Sequence, residues 1–282
     1  MASECDRANR SAWGNREVAK RFAERDGFSS DGEAHVMRRV ATVAEGQPIL
    51  DVGVGGGRTV RFLRSVSEDY VGVDYIEQLV TATRRRYPHV RVEHMDARDL
   101  SAFADSTFAL VVFSRNGIDG VPRADRSRIL IELHRVLRPG GLLAYSTHNL
   151  DYRSAARHRW RVDWPQAITH PGAAIRRVAR LPSATADFLK LRTLDASGEG
   201  WASRASLAYG HAVIWYRVTF PQVVRELRDS GFGTIELYDA AGLSTTVDAG
   251  GATWSTRSQE VDTSQWPTLH LVAHRPLTER EV

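Results

Sequence analysis

The run Ile49-Leu50-Asp51-Val52-Gly53-Val54-Gly55-Gly56-Gly57-Arg58 constrains this chain more than any other stretch. Ile49, Leu50 and Val52 read as a buried strand. The strand passes straight into a glycine-rich turn and then a helix. Gly53, Gly55 and Gly57 open backbone conformations closed to other residues and let a ligand approach the main chain. A turn of this kind, opening a helix, is the nucleotide-binding loop of an α/β sheet. Its spacing argues against a dinucleotide, because the G-x-G-x-x-G fingerprint needs a third glycine at position 58. Position 58 is Arg, and the spacing present is G-x-G-x-G preceded by Asp51. On its own the loop also fits a tight strand-to-helix turn with no ligand.

The next segments keep the strand–helix rhythm. Tyr70-Val71-Gly72-Val73 ends in Asp74, where an acid accepts hydrogen bonds from ribose hydroxyls. Asp74 also fits an N-cap for a helix over Ile76 to Arg86. Val90 to Asp96 alternates like a strand and ends in a second acid. A fourth strand, Phe108 to Phe113, leads into Ser114-Arg115-Asn116-Gly117-Ile118-Asp119. A helix comes next with Ile129, Leu130, Leu133 and Val136, and it stops at Arg138-Pro139-Gly140-Gly141. A fifth strand, Leu142 to Ser146, ends at Thr147-His148-Asn149.

The segments D-V-G-V-G-G-G-R-T, F-S-R-N-G-I-D, H-R-V-L-R-P-G-G and S-T-H-N resemble, in order and spacing, a bacterial family of class I S-adenosylmethionine (SAM) methyltransferases. The resemblance is strong over residues 33 to 150 and weak over 205 to 275. It implies an α/β fold, a Rossmann-like methyltransferase sheet of about seven strands with an N-terminal helical cover and an inserted lid. It implies SAM as cofactor and S-adenosylhomocysteine (SAH) as its product. The cofactor residues it implies are Asp51, Gly53 and Gly55 at the loop, Asp74 and Tyr75 at the ribose, Asp96 and Ala97 at the adenine, and Ser114 and Asn116 after the fourth strand. Glu33 lies where the family carries a Glu before the last helix leading to the loop. Arg115 stands where the familiar form has an aromatic residue.

This reading divides the chain into a cover over 1–45, a SAM-binding domain over 46–149 and 213–282, and a substrate-binding insertion over 150–212. In the last part Pro221 opens a helix over Gln222 to Ser230, with strands beyond it over Thr234 to Tyr238 and Thr268 to Ala273. Asp248 to Trp266 reads as polar loop. A long insertion after the fifth strand lies at the carboxyl edge of the sheet, where open α/β folds bind ligands. That place suits a lid. Trp160, Trp164, Trp201, Tyr209 and Trp215 are the candidate substrate contacts, and each also fits an anchor that holds the insertion to the core.

Composition narrows the partners. Of the 38 basic residues only Lys20 and Lys190 are lysines, which reads as GC-rich codon usage, and the net charge of +4 is dispersed. The densest basic stretch, Arg157-His158-Arg159-Trp160-Arg161, is short and fits a solvated face. Nucleic acid is therefore not the expected partner, although an RNA or protein methyltransferase stays an alternative, as does a SAM-binding protein that has lost the transfer. No apolar run reaches the ~18 residues of a membrane span. Cys5 is the single cysteine, so neither a disulfide framework nor a cysteine metal site is expected. No metal is expected, and the cytoplasm is the natural compartment. A homodimer is open.

Methyl transfer from a sulfonium is an in-line displacement, accelerated chiefly by holding nucleophile and methyl carbon in line. A base is needed only if the acceptor must lose a proton. The candidates are His211, then Tyr216, then His148. The aromatic insertion suggests a small aromatic acceptor, an indole among the possibilities, in secondary metabolism. A Trp or Tyr face can stack and orient such a ring.

Overall fold

The computed structural model describes residues 3–153, 182–208, 211–248, 253–255 and 262–277. Its centre is a nine-stranded sheet. Five parallel strands form the heart of it: β1 (Ile49–Val52), β2 (Tyr70–Asp74), β3 (Arg91–His94), β4 (Phe108–Phe113) and β5 (Leu137–His148). Away from the heart lie β9 (Ile235–Asp239), β10 (Gly242–Val247), β11 (Thr253–Ser255) and β12 (Thr268–His274). The order across the sheet is β11-β10-β9-β12-β5-β4-β1-β2-β3. β12 runs antiparallel to both β5 and β9. The seven strands from β9 to β3 answer the expected sheet, and β10 and β11 extend its edge.

β1, β2 and β4 are buried along their whole length. Parallel strands covered on both faces read as unbroken apolar runs. Alternate residues feed two cores. Leu50, Val111, Leu143 and Leu271 face α6 (Arg123–Val136) and α8 (Phe220–Asp229). Ile49, Leu110, Leu142 and Val272 face α3 (Asp31–Ala44), α4 (Val60–Val66) and the start of α5 (Glu77–Arg86). The chain winds outward from β1 in one direction and from β4 in the other. That reversal opens a crevice at the carboxyl ends of the two strands.

Three expectations change. Arg138 to Gly141 do not end α6 in a free turn. They enter β5 as an irregular stretch, with a register shift against β4 and Gly140 at φ +73°. The stretch from residue 213, assigned to the SAM-binding domain, does not begin in the main sheet. His211–Val218 is β8 of a separate antiparallel sheet with β6 (Ala196–Gly198) and β7 (Trp201–Ala208). The boundary placed between residues 212 and 213 therefore falls inside a strand whose hydrogen bonds go to β7. The stretch read as polar loop contains β11, three residues paired with β10. A helical run over 182–191, here α7, precedes the small sheet.

The N-terminal helices α1 (Glu4–Trp13) and α2 (Arg16–Ala23) start at side-chain caps, Ser3 and Asn15. Asn9 of α1 is fully buried. Its amide donates to the carbonyls of Gly120 (2.6 Å) and Ile214 (2.9 Å) and accepts the Ile214 N–H (2.9 Å). One side chain thus ties the cover to β8 and to the 3₁₀ turn Gly117–Gly120 after β4. α3 belongs to the layer on the main sheet. Among the described residues no helix is long and apolar enough to cross a membrane.

Candidate functional site

A cavity of about 750 Å³ opens at the carboxyl ends of β1, β2, β4 and β5. The glycine loop forms its floor. Gly53, Gly55 and Gly57 hold φ of +66°, +57° and +82°, the left-handed region that favours glycine. Gly56 has a different reason to be glycine. A Cβ there would lie 2.3 Å from the Phe22 carbonyl carbon, so the end of α2 rests directly on the loop. The sequence pattern does not show this, because the neighbour is a backbone 34 positions away in the cover. Gly56→Ala is expected to cost about 1–3 kcal/mol as an overpacking change and to expose residues 15–27 to limited proteolysis. An unchanged denaturation midpoint and cleavage pattern would show that α2 does not need this contact.

Asp51 lies beneath the loop and outside the cavity lining. It accepts hydrogen bonds from Thr59 Oγ1 (2.7 Å) and Tyr70 Oη (2.9 Å) and so fastens β1 to the head of α4. Burial pushes its pKa up to about 6. Asp74 lines the cavity. Its two oxygens accept the Gly55 N–H (2.9 Å) and the Ile76 N–H (2.8 Å), which locks the loop to the tip of β2. Each carboxylate oxygen keeps further acceptor capacity for a ligand hydroxyl. Burial raises the Asp74 pKa to about 6 as well.

Tyr75, Asp96 and Ala97 line the same side. Asp96 is heavily engaged, by Arg10 of the cover at 2.6 Å and by Arg98 at 2.6 and 2.9 Å. Burial opposes its ionisation, but the Arg98 hydrogen bonds outweigh burial and hold its pKa below the usual range. The Arg10 guanidinium also lies 4.4 Å over the Tyr75 ring. Arg58 forms a two-pronged pair with Glu33 at 2.6 and 3.0 Å and reaches Ser114 Oγ at 3.1 Å. Burial works against the Glu33 carboxylate, yet Arg58 keeps its pKa low. The residue that broke the dinucleotide pattern therefore joins the head of α3 to the tip of β4.

Ser114, Arg115 and Asn116 line the cavity after β4. Arg115 and Asn116 both adopt left-handed φ, +55° and +59°, and such strain gathers at functional sites. The Asn116 N–H donates to Ser146 Oγ (2.9 Å) and its amide to Thr268 Oγ1 (3.2 Å), which pins the turn to β5 and β12.

The base candidates separate sharply. His148 lines the cavity. Its Nδ1 lies 2.7 Å from Asp119 Oδ2, and Asp119 is fully buried. Tyr216 is buried in the core beside α8, with its hydroxyl donating to Glu226 at 2.6 Å. Burial and that carboxylate push its pKa well up. His211 is the first residue of β8, opposite Ala208, the last of β7. Neither Tyr216 nor His211 lines the cavity.

Of the aromatic candidates, Trp215 lines the cavity, 5.0 Å from the His148 ring and 5.3 Å from Trp13 of α1. Trp201 instead stacks on Tyr216 at 5.9 Å, outside the cavity. Trp160, Trp164 and Tyr209 lie outside the described residues. Trp13, Phe22 and Trp266 complete an aromatic wall, two of them from the cover. Among the described residues no group of three His, Cys, Asp or Glu could hold a metal ion.

Residues 49–141 match the methyltransferase domain family. That match and this sheet give the chain the Rossmann-like fold of class I SAM-dependent methyltransferases. A protein of Mycolicibacterium smegmatis named for S-adenosylmethionine-dependent methyltransferase activity is 32% identical over 114 residues, 40% of this chain and 43% of that one. The trans-aconitate 2-methyltransferase of Azoarcus sp. is 33% identical over 139 residues, 48% of this chain and 52% of that one. The methyltransferase chain solved with the Haloferax volcanii Trm112 methyltransferase activator superposes with a TM-score of 0.55 at 16% identity, over 98% of this chain and 99% of that one. The chain spans about half, or less, of the length of the curated relatives it matches.

Proposed function

We propose that this protein transfers a methyl group from SAM to a small-molecule acceptor inside the cavity. One observation carries the reading. The glycine loop, Asp74, His148, Trp215 and Trp13 all line a single cavity. The cofactor would lie over Gly53 and Gly55 with its ribose hydroxyls on Asp74 and its adenine near Asp96 and Ala97. Because Arg10 and Arg98 already occupy Asp96, its part is to hold the cover against the adenine end. Ser114 and Asn116 would border the methionine end, with the Arg58–Glu33 pair behind them.

SAM bound there supplies a methyl group on a cationic sulfur. The protein's part is to orient the acceptor, exclude water and accept a proton where one must leave. The aromatic wall favours a planar acceptor, an aromatic or indole-type ring of a secondary metabolite, handled in the cytoplasm. The β7–β8 sheet carries Trp215 over the cavity and takes the part of the lid. The small-molecule reading also draws on the Azoarcus relative, whose named acceptor is a small carboxylic acid.

The test is direct. The protein should gain thermal stability from SAH, as a native-state ligand confers, and tritium from methyl-labelled SAM should appear in an organic-extractable product. A larger stabilisation by NADH than by SAH would overturn the cofactor. Transfer to RNA or protein alone would overturn the acceptor class.

A further inference from the structure

We infer that His148, held by Asp119 and Arg126, is the proton acceptor of this site, and that the methyl acceptor is a molecule whose attacking oxygen or nitrogen carries a proton, a hydroxyl or a heteroaromatic N–H. The inference rests on the methyl-transfer reading above and specifies its chemistry.

The placement comes from the sheet. β4 and β5 are parallel neighbours, so the turns at their carboxyl ends meet at the same edge. Asp119 comes from the turn after β4 and His148 from the end of β5. Asp119 Oδ2 receives the His148 backbone N–H at 2.6 Å and faces His148 Nδ1 at 2.7 Å. Its Oδ1 accepts from Thr147 Oγ1 at 2.6 Å and from Arg126 Nη1 at 2.7 Å. An ionised carboxylate can only accept. Burial alone would favour the neutral acid, but the hydrogen bond to His148 and the charge of Arg126 keep the Asp119 pKa below the usual range. The proton between the two groups therefore sits on Nδ1. In a neutral imidazole that leaves the lone pair on Nε2, the nitrogen free to serve the cavity.

The charges behind the pair suit the same task. Arg126 is buried, and its guanidinium serves Asp119 and, at 3.2 Å, Glu226. Two carboxyl groups thus share one guanidinium. The Asp119 carboxylate beside His148 favours an imidazolium there, in surroundings where charges interact strongly. Asp119 and Arg126 are positioning residues. His148 is the group that meets the acceptor.

The step balances. A lone pair on an acceptor oxygen, or on a heteroaromatic nitrogen the pair released as its proton leaves, forms the bond to the methyl carbon. The carbon–sulfur bond breaks, and its electron pair stays on sulfur as the neutral thioether of SAH. The acceptor's proton passes to His148 Nε2 and later to solvent. A carboxylate acceptor has no proton to lose and would leave this arrangement without work. Trp215, 5.0 Å from the His148 ring, gives a planar acceptor a face to lie against while its O–H or N–H reaches Nε2.

Two measurements test this. Nitrogen-15 NMR of the histidine-labelled protein with SAH should show His148 as the Nδ1-protonated tautomer, and Asp119→Asn should disturb it. Methyl-labelled SAM should be offered to simple phenols, indoles and benzoates. Transfer is expected to a phenol or an indole N–H. His148→Ala and Asp119→Asn should each lower kcat roughly 10²–10⁴-fold, with KM and the SAH-induced melting shift within a few-fold, and added imidazole should partly restore His148→Ala. An Nε2-protonated tautomer, benzoate as the only acceptor, or unchanged kcat in Asp119→Asn would overturn the inference while leaving methyl transfer in place. A wild-type protein that SAH does not stabilise would instead remove the reading on which it rests.

Discussion

Arg126→Met is expected to destabilise the protein by about 3–5 kcal/mol, the cost of breaking a buried ion pair from one side. The guanidinium is almost wholly inaccessible. It donates to Asp119 at 2.7 Å, to Tyr145 Oη at 2.7 Å and to Glu226 at 3.2 Å, and it lies 4.0 Å over the Tyr216 ring. Methionine fills much of the volume but leaves Asp119 and Glu226 without their shared counter-charge. The penalty should depend on pH with a definite sign. In the parent, Asp119 has a lowered folded pKa, so its contribution is present above its unfolded pKa and is lost as the pH falls through the folded one. In Arg126→Met the carboxyl groups take up protons more readily, so the gap between variant and parent narrows toward acid pH. Urea denaturation at neutral and acid pH measures both effects. A difference of about 0.5 kcal/mol or less, the scale of a surface substitution, would show that the cluster is not held by this arginine.

Asp74→Ala should remove most of the stabilisation that SAH confers. At a ligand concentration one hundred times Kd, the parent should gain about 2.7 kcal/mol. The variant loses the acceptor for the ribose hydroxyls, and it frees the Gly55 and Ile76 N–H groups that shape the loop. The parent's affinity should also titrate. Burial raises the Asp74 pKa to about 6, and the ionised carboxylate is the better acceptor. SAH affinity should therefore be level above about pH 6 and weaken below it by up to roughly tenfold per pH unit. Calorimetry across pH 5 to 8 reads the profile. Equal SAH affinity in parent and Asp74→Ala would take Asp74 out of the cofactor site.

The central strands and the glycine loop were legible because each depends on local signals. Strands buried on both faces write unbroken apolar runs, as Phe108–Phe113 does. A turn that needs left-handed φ writes glycines. The second sheet was not legible in the same way. His211–Val218 carries a strand pattern, but the pattern does not say which strand it pairs with, and it pairs with β7. The His148–Asp119 contact joins residues 29 positions apart, and only the adjacency of β4 and β5 brings them together. Arg126 did leave a trace. It lies three, four and seven residues before Ile129, Leu130 and Leu133, on the apolar stripe of α6, where an arginine has to be paired inside the protein. Arg58 was read for the glycine it replaces, and its pairing with Glu33 needed the fold to appear.

The contact between Gly56 and the Phe22 backbone also bears on how this sequence can drift. A side chain at position 56 has no room while α2 lies where it does. A descendant could gain one there only by retracting or losing that helix, and a lineage without the helix would be free to vary the position. Across related sequences, a residue other than glycine at this point of the loop should accompany a shortened or rebuilt N-terminal segment. Gly56 would then record the state of the cover, two features that inheritance could otherwise separate.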